Sequence, residues 1–525
     1  MKTVHAFPFP FLPSRARRPV WRVLALSLAL GLPAAPAFVP QAAAQSQLPA
    51  LGDSVAGEFS VATERQLGDR IMAQIRRDPL YLDDPLLGDY LQSVWQALLG
   101  AARARGELSP ELEDRFAWQA FLVQDRTVNA FALPGGYVGV HLGLLATTAT
   151  RDEFASVLAH ELSHVTQRHI ARSIAQSKQQ SMLAVASMII GMIAASRSPE
   201  AANALMVGGQ AAALQGQLNF SRDMEREADR IGYGVLEQAG FSPAGMASMF
   251  ERLQQTSRLN DSGAYPYLRT HPLTSERIGE ARARAQSRTG TAPRRELEHV
   301  VMQARARVRM DLRPDSLREW LRTPEATGAD RAAQLLAAAT SAQAATVLRD
   351  WHAAEAALDR AAQLARGDSR AERAVAFLRS ESALARGDAQ AADAALDPWR
   401  GDGSRASELL AARISLALPP ASGRLKRASE DLQTWLAMHG ADVQAWELLG
   451  QAWEKLGQPL RAVRAQAEAR YVAGDLQGAL DRLRAAQQLA RAPGQTDFIE
   501  ASVIEARVKQ VEAEWQQRVR EELRR

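Results

Sequence analysis

His160-Glu161-Leu162-Ser163-His164 decides the reading of this chain. On a helix, positions i and i+4 share a face, so both imidazoles can point at one ion while Glu161 reaches a water beside it. Neutral imidazoles bind zinc without quenching its charge. The ion would bring the pKa of its water to about 7, and the carboxylate would take and relay the proton. Upstream, Phe154, Val157 and Leu158 fall at helical spacing, and Leu162 and Val165 continue the apolar face, which predicts a helix under the motif. The same five letters can arise by chance on an ordinary amphipathic helix, so other segments must supply the rest of a site.

Two histidines leave a catalytic zinc one protein ligand short. Glu225-Arg226-Glu227-Ala228-Asp229 is the best source of the third. Phe220, Met224, Ala228, Ile231 and Gly232 set a helical rhythm around it, and Glu225 and Asp229 share a face. Glu225 can bind the metal while Asp229 accepts a hydrogen bond from a ligating imidazole, with Glu227 next in line. Taken alone, the segment also fits a solvated helix with Glu–Arg pairs.

With both segments in view, the chain resembles the gluzincin metallopeptidases related to the HtpX membrane proteases and the CAAX prenyl proteases. Their His-Glu-x-x-His is followed by Glu-x-x-Ala-Asp, matched by Glu225, Ala228 and Asp229. They also carry a segment like Asn129 to Gly136 (Asn-Ala-Phe-Ala-Leu-Pro-Gly-Gly) upstream and a His-Pro downstream, here His271-Pro272 with Arg277-Ile278 following. The resemblance runs from about Phe59 to Ala285. It implies a zinc endopeptidase with one Zn2+ per chain, held by His160, His164 and Glu225, with Glu161 as general base and Asp229 assisting. It also implies that His271 fills the open zinc position of a latent enzyme; the competing role is oxyanion stabilisation. Arg277 is a substrate contact or a surface charge. Pro134-Gly135-Gly136 reads as a turn and Tyr137-Val138-Gly139-Val140 as a short strand. Gly136 and Val138 are therefore candidate backbone contacts for an extended substrate, against the plainer reading of a structural hairpin.

The N-terminus carries Arg15, Arg17, Arg18 and Arg22, an apolar run from Val23 to Leu32, and Ala42-Ala43-Ala44 before Gln45. This reads as a signal peptide over residues 1–44 and predicts export, an uncleaved anchor being the alternative. The chain has no cysteine, which excludes disulfides and leaves zinc to histidine and carboxylate. Between the two ligand segments, Met182 to Ala195 is almost entirely apolar but shorter than the ~20 residues of a membrane span. It reads as a buried helix, or as a Met-rich contact for unfolded substrate or a membrane protein. A net charge of +4, partly from the leader, gives no reason to expect nucleic-acid binding.

A chain of 525 residues exceeds one core, and composition shifts after Arg305 toward Ala, Leu, Arg, Gln and Glu. Trp446-x-x-Leu449-Gly450-x-x-Trp453, then Gly457 and Ala462, follows the tetratricopeptide pattern. Weaker copies turn at Arg386-Gly387-Asp388 and Ala473-Gly474-Asp475. The expected fold is thus mainly α: a metallopeptidase domain with a small β element over residues 45–305, then a tetratricopeptide solenoid over 306–525. The resemblance implies a protease of the Gram-negative periplasm and is compatible with a peripheral association with the outer membrane. Its substrates would be unfolded or misassembled proteins, among them outer-membrane β-barrel proteins, and the repeats would recruit the β-barrel assembly machinery. The rival is an assembly chaperone or scaffold with a silenced or structural zinc site.

Overall fold

The Pro134-Gly135-Gly136 turn lies at the heart of a small sheet, with Gly135 at φ 78° and Gly136 at φ 89°, a backbone that side chains disfavour. In the computed structural model, which describes residues 59–176, 222–259, 265–286, 295–322, 328–491 and 497–523, this turn joins β3 (Ala130–Leu133) to β4 (Tyr137–His141). β1 (Tyr81–Leu82) and β2 (Gln119–Val123) complete four strands in the order β1-β2-β4-β3. β4 runs parallel to β2 and antiparallel to β3. Both edges of β4 are therefore taken. This corrects the expectation that an extended substrate pairs with the strand bearing Gly136 and Val138: its amides and carbonyls serve the ladder, and Val138 is fully buried. Among the described residues β3 is paired on one side only, so Ala130–Leu133 offers a free edge next to β4, as the two-residue β1 does at the far end of the sheet.

Helices enclose this sheet. α1 (Val61–Ile75) starts at Ser60, whose hydroxyl accepts from the Thr63 amide, and buries Leu67, Ile71 and Met72 against it. α2 (Pro85–Ala104) packs on α5 (Arg151–Thr166), while the short α3 (Pro110–Arg115) lies on α1 and α4 (Leu142–Thr147) on β4. From Glu153 to Thr166, every residue of α5 is buried, as befits a helix packed on all sides. α6 (His169–Gln176) follows at once. α7 (Arg222–Gln238) lies on α5 with Gly232 at the crossing, where a Cβ would come within 3.1 Å of the Ala159 carbonyl. That close approach brings Glu225 and Asp229 to the motif. α8 (Ala244–Leu259), α9 (Tyr267–Thr270) and α10 (Ser275–Gln286) close the remaining side.

The C-terminal region is entirely helical among the described residues. α11 (Leu297–Met310) leads to α12 (Pro314–Arg322), α13 (Arg331–Leu348), α14 (Trp351–Ala365), α15 (Ser369–Ala385), α16 (Ala389–Leu396) and α17 (Arg405–Ala417). α18 (Arg424–Met438), α19 (Val443–Lys455), α20 (Pro459–Val472), α21 (Leu476–Ala490) and α22 (Phe498–Leu523) complete it. From α13 onward each helix packs on the next in sequence, the arrangement of a solenoid. Gly450 meets Ala462 and Ala465 closely, and Leu449 and Trp453 are buried beside them. Gly367, Gly387, Gly457 and Gly474 end helices at positive φ.

A division at Arg305 falls inside α11. This helix packs on α2 and α4 with one side and on α13 and α15 with another, and one apolar core runs unbroken from Val61 to Ile414. Buried Arg305 bonds Asp84 of the first region at 2.9 Å and Glu381 of the second at 2.6 Å. The shift in composition is not matched by a seam in the packing. The predicted signal peptide and the Met182–Ala195 run lie outside the described residues. No described helix is long and apolar enough to cross a membrane.

Candidate metal centre

α5 presents His160 and His164 on one face, with their Nε2 atoms 2.9 Å apart. Glu225 reaches in from α7: its Oε2 lies 3.5 Å from His160 Nε2 and its Oε1 3.4 Å from His164 Nε2. His271, just after α9, brings Nδ1 to 3.3 Å from His160 Nε2 and 3.0 Å from Glu225 Oε1. All four residues are buried and offer ligand atoms within 4.8 Å of one another. A tetrahedron with bonds of roughly 2.0–2.1 Å has edges of roughly 3.3 Å. The donor set, two imidazoles and a carboxylate with a third imidazole at hand, fits zinc.

The satisfaction of polar atoms makes the same point. Eight buried side-chain polar atoms among the described residues have no hydrogen bond. Five belong here: His160 Nδ1, both Glu161 oxygens, Glu225 Oε2 and the Tyr267 hydroxyl. His160 Nδ1 and Glu225 Oε2 have charged neighbours within 2.9 Å, whereas the Glu161 carboxylate, 3.5 Å from His271 Nε2, and the Tyr267 hydroxyl have no bond at all; leaving such groups bare costs about 1–3 kcal/mol each, which marks a place built for a ligand. Burial raises the pKa of Glu161 against the lowering influence of His271 and His160, which suits a base that must both take and return a proton. The Ala132 amide on β3 lies near enough to temper that rise without meeting hydrogen-bond geometry.

Asp229 stands behind His160, its Oδ1 2.9 Å from Nδ1, close but off the line of a good hydrogen bond. Burial works against its ionisation, but the two hydrogen bonds from Arg277 and the nearness of the His160 ring win and hold the carboxyl below its usual range. Arg277 is 4% exposed and grips Asp229 with two bonds, Nε to Oδ2 at 2.6 Å and Nη2 to Oδ1 at 2.8 Å. Its Nη1 donates to the Pro272 carbonyl and lies 2.8 Å from Glu225 Oε2. This overturns the surface-charge reading of Arg277: the guanidinium sits inside, bracing carboxylates. Burial disfavours the charged form of His160, yet Asp229 and Glu225 overcome it and push its pKa up to about 9. Burial drives His164 the other way, well below its ordinary value.

Other members of the site were not singled out from the sequence. His169, at the start of α6, sets its Nδ1 2.8 Å from His164 Nδ1 and its Nε2 3.0 Å from Glu227 Oε2. Arg172 Nη1 donates to the same oxygen at 2.8 Å. Glu227 is thus removed from the ligand cluster and faces its rear. Tyr267 stacks on His271 with centroids 4.6 Å apart. The cue for His169 was there in His164-Val-Thr-Gln-Arg-His169, but five residues is not a same-face helical spacing.

Proteins of known chemistry resemble the chain across this region. Residues 89–285 match Peptidase family M48. The chain is 29% identical to the beta-barrel assembly-enhancing protease of Escherichia coli K12 over 465 residues, 86% of this chain and 88% of that one. It is 36% identical to the protein of that name from Yersinia pestis over 242 residues, 46% of this chain and about half (48%) of the relative. The mitochondrial metalloendopeptidase OMA1 of Schizosaccharomyces pombe is 36% identical over 163 residues, 31% of this chain and 44% of its own length. The segment that carries the buried histidine and glutamate cluster is the part of the chain similar to Peptidase family M48, and that match together with the named relatives supports a metalloprotease whose metal this cluster could hold.

Proposed function

We propose that the chain is a periplasmic zinc endopeptidase that acts in quality control and assembly of outer-membrane β-barrel proteins, with its helical repeats recruiting clients or the assembly machinery. The observation that carries the proteolytic reading is the orphaned, buried Glu161 carboxylate beside two imidazoles and a carboxylate that converge on one point. The client class is taken from the name of relatives that match over most of this chain.

In this reading His160, His164 and Glu225 hold the ion. When bound, zinc supplies Lewis-acid polarisation of the scissile carbonyl and of the attacking water. Glu161 takes the proton of that water and delivers it to the leaving amine. Asp229 and Arg277 keep His160 oriented. An extended substrate adds to the free edge of β3, whose Ala132 lies beside Glu161. His271 Nδ1 faces the cluster and would be the further residue to hold the ion in a latent state, with Tyr267 stacked on its ring keeping it in place.

The test is digestion of an unfolded substrate by purified protein, with and without chelator, beside Glu161→Gln. Glu161→Gln should retain zinc and lose roughly 10²–10⁴-fold in rate. Loss of zinc from that variant would refute the division of roles, and a parent inactive under all conditions would favour the chaperone or scaffold. His271→Ala should raise basal cleavage; a fall with unchanged zinc would make His271 an oxyanion donor instead.

A further inference from the structure

The two histidines of the motif are supported differently at their rear nitrogens. His160 faces Asp229 directly, whereas His164 faces another imidazole, that of His169. Two Nδ1 atoms 2.8 Å apart must be one donor and one acceptor. Which is which is set from the far end. Glu227 Oε2 receives Arg172 Nη1 at 2.8 Å and stands 3.0 Å from His169 Nε2. A carboxylate only accepts, so His169 Nε2 carries the hydrogen and, in a neutral ring, Nδ1 is the acceptor. His164 Nδ1 must then donate, and the lone pair of His164 is placed on Nε2, directed into the cluster.

The backbone is strained to make this contact. Arg168, between α5 and α6, has φ 52°, a left-handed conformation uncommon outside glycine. It is held there by a buried pair with Glu64 of α1, Nε to Oε2 at 2.9 Å, and by Nη2 donating to the Phe59 carbonyl at 2.7 Å. Its left-handed turn breaks the helix so that the first residue of α6 swings beneath His164.

We propose that His169, oriented by Glu227 and Arg172, is a positioning residue that selects the metal-binding tautomer of His164. The inference rests on the reading of His164 as a ligand. His169 touches no ion, so its effect is on zinc affinity before any turnover.

The test is zinc affinity of the full-length protein by competition with a chromophoric chelator, together with the melting temperature after metal removal. His169→Leu fills the space without hydrogen bonds, whereas His169→Gln can accept from His164 with its carbonyl and donate to Glu227 with its amide. We expect His169→Leu to lose about 10–100-fold in affinity and His169→Gln to stay within about threefold of the parent. Nitrogen NMR of the metal-free protein should show His164 protonated at Nδ1 in the parent and mixed between its nitrogens in His169→Leu. Unchanged affinity in His169→Leu, or equal losses in both variants, overturns the inference. Should His169→Leu fail to fold, His169→Asn, too short to bridge both partners, takes its place with the same outcomes. A His164→Ala protein of parental affinity would overturn the metal-centre reading as well, which separates the two failures.

Discussion

The metal-centre region and the C-terminal helix array handle buried polarity in opposite ways. Around α5, seven ionisable side chains, His160, Glu161, His164, Glu225, Asp229, His271 and Arg277, are packed together out of solvent, and several of their atoms have no hydrogen bond. In the array, the interior is mostly alanine and leucine, and the polar groups within it are partnered, as Thr340 donates to the Leu336 carbonyl, Ser380 to the Ala392 carbonyl and Glu468 pairs with Arg507, while aspartates serve the helix ends. Asp330, Asp350, Asp368, Asp388, Asp442 and Asp475 each cap the helix that follows. From α12 onward, among the described residues, Arg400 Nε alone of the buried side-chain polar atoms is left without a hydrogen bond. One region retains unmet bonding capacity for a ligand, and the other spends its polar groups on its own helices. The contrast separates side chains present for chemistry from side chains present for stability.

Removing a ligand carboxylate tests the first half of that contrast most severely. Glu225→Ala should weaken zinc binding by roughly a thousandfold or more, whereas Asp229→Asn should cost about 10–100-fold, as read by chelator competition. Equal effects would erase the distinction between the ion's partner and that partner's support.

At the junction, Arg305→Met leaves Glu381 without its buried cation and Asp84 with Arg309 alone, 3.2 Å away, at a cost of about 3 kcal/mol in denaturant unfolding. The two regions should still unfold in one transition, because their core is shared. Two separated transitions would show that each holds a core of its own.

A smaller effect is expected from His299 on α11, which hydrogen-bonds Tyr90 at 2.6 Å and the Thr148 carbonyl at 3.0 Å. Burial lowers its pKa to about 4 from an ordinary 6.5. Between those values the unfolded chain binds the extra proton, so the stability is fully present above pH 6.5 and lost as pH falls toward 4. The difference is about 3 kcal/mol, and the pH dependence of unfolding should flatten accordingly in His299→Gln. A profile identical to the parent's would remove His299 as the cause. The smallest change is in the array: Asp368→Ala, losing its 3.1 Å bond from the Ala371 amide, should cost about 1 kcal/mol and leave zinc affinity untouched.

Legibility in the sequence followed the range of each interaction. The motif helix and its partner could be read because i, i+4 spacing is local, and the turns at Gly387 and Gly474 because positive φ selects glycine. The place of β4 inside the sheet could not, since strand order depends on pairing with β2, across a loop and another strand. Arg277 reads as a surface charge until two carboxylates from α7 converge on it. The arginines of α11 likewise hid a buried helix: Arg305 can be internal only because Asp84 and Glu381, hundreds of positions apart in the chain, meet on either side. His169 escaped notice because it depends on one left-handed residue, Arg168, which no periodicity announces.

The shared helix α11 also dictates an order of events as the chain is made. Synthesis proceeds from the N-terminus, and α2, α4 and α5 emerge first, but the faces that α2 and α4 offer to α11 stay uncovered until residues 297–310 arrive. α11 in turn needs α13 and α15 for its other side. The framework around the motif helix is therefore closed only once residues up to Ala385 have followed, so the buried cluster is completed late in synthesis rather than as its own segments emerge.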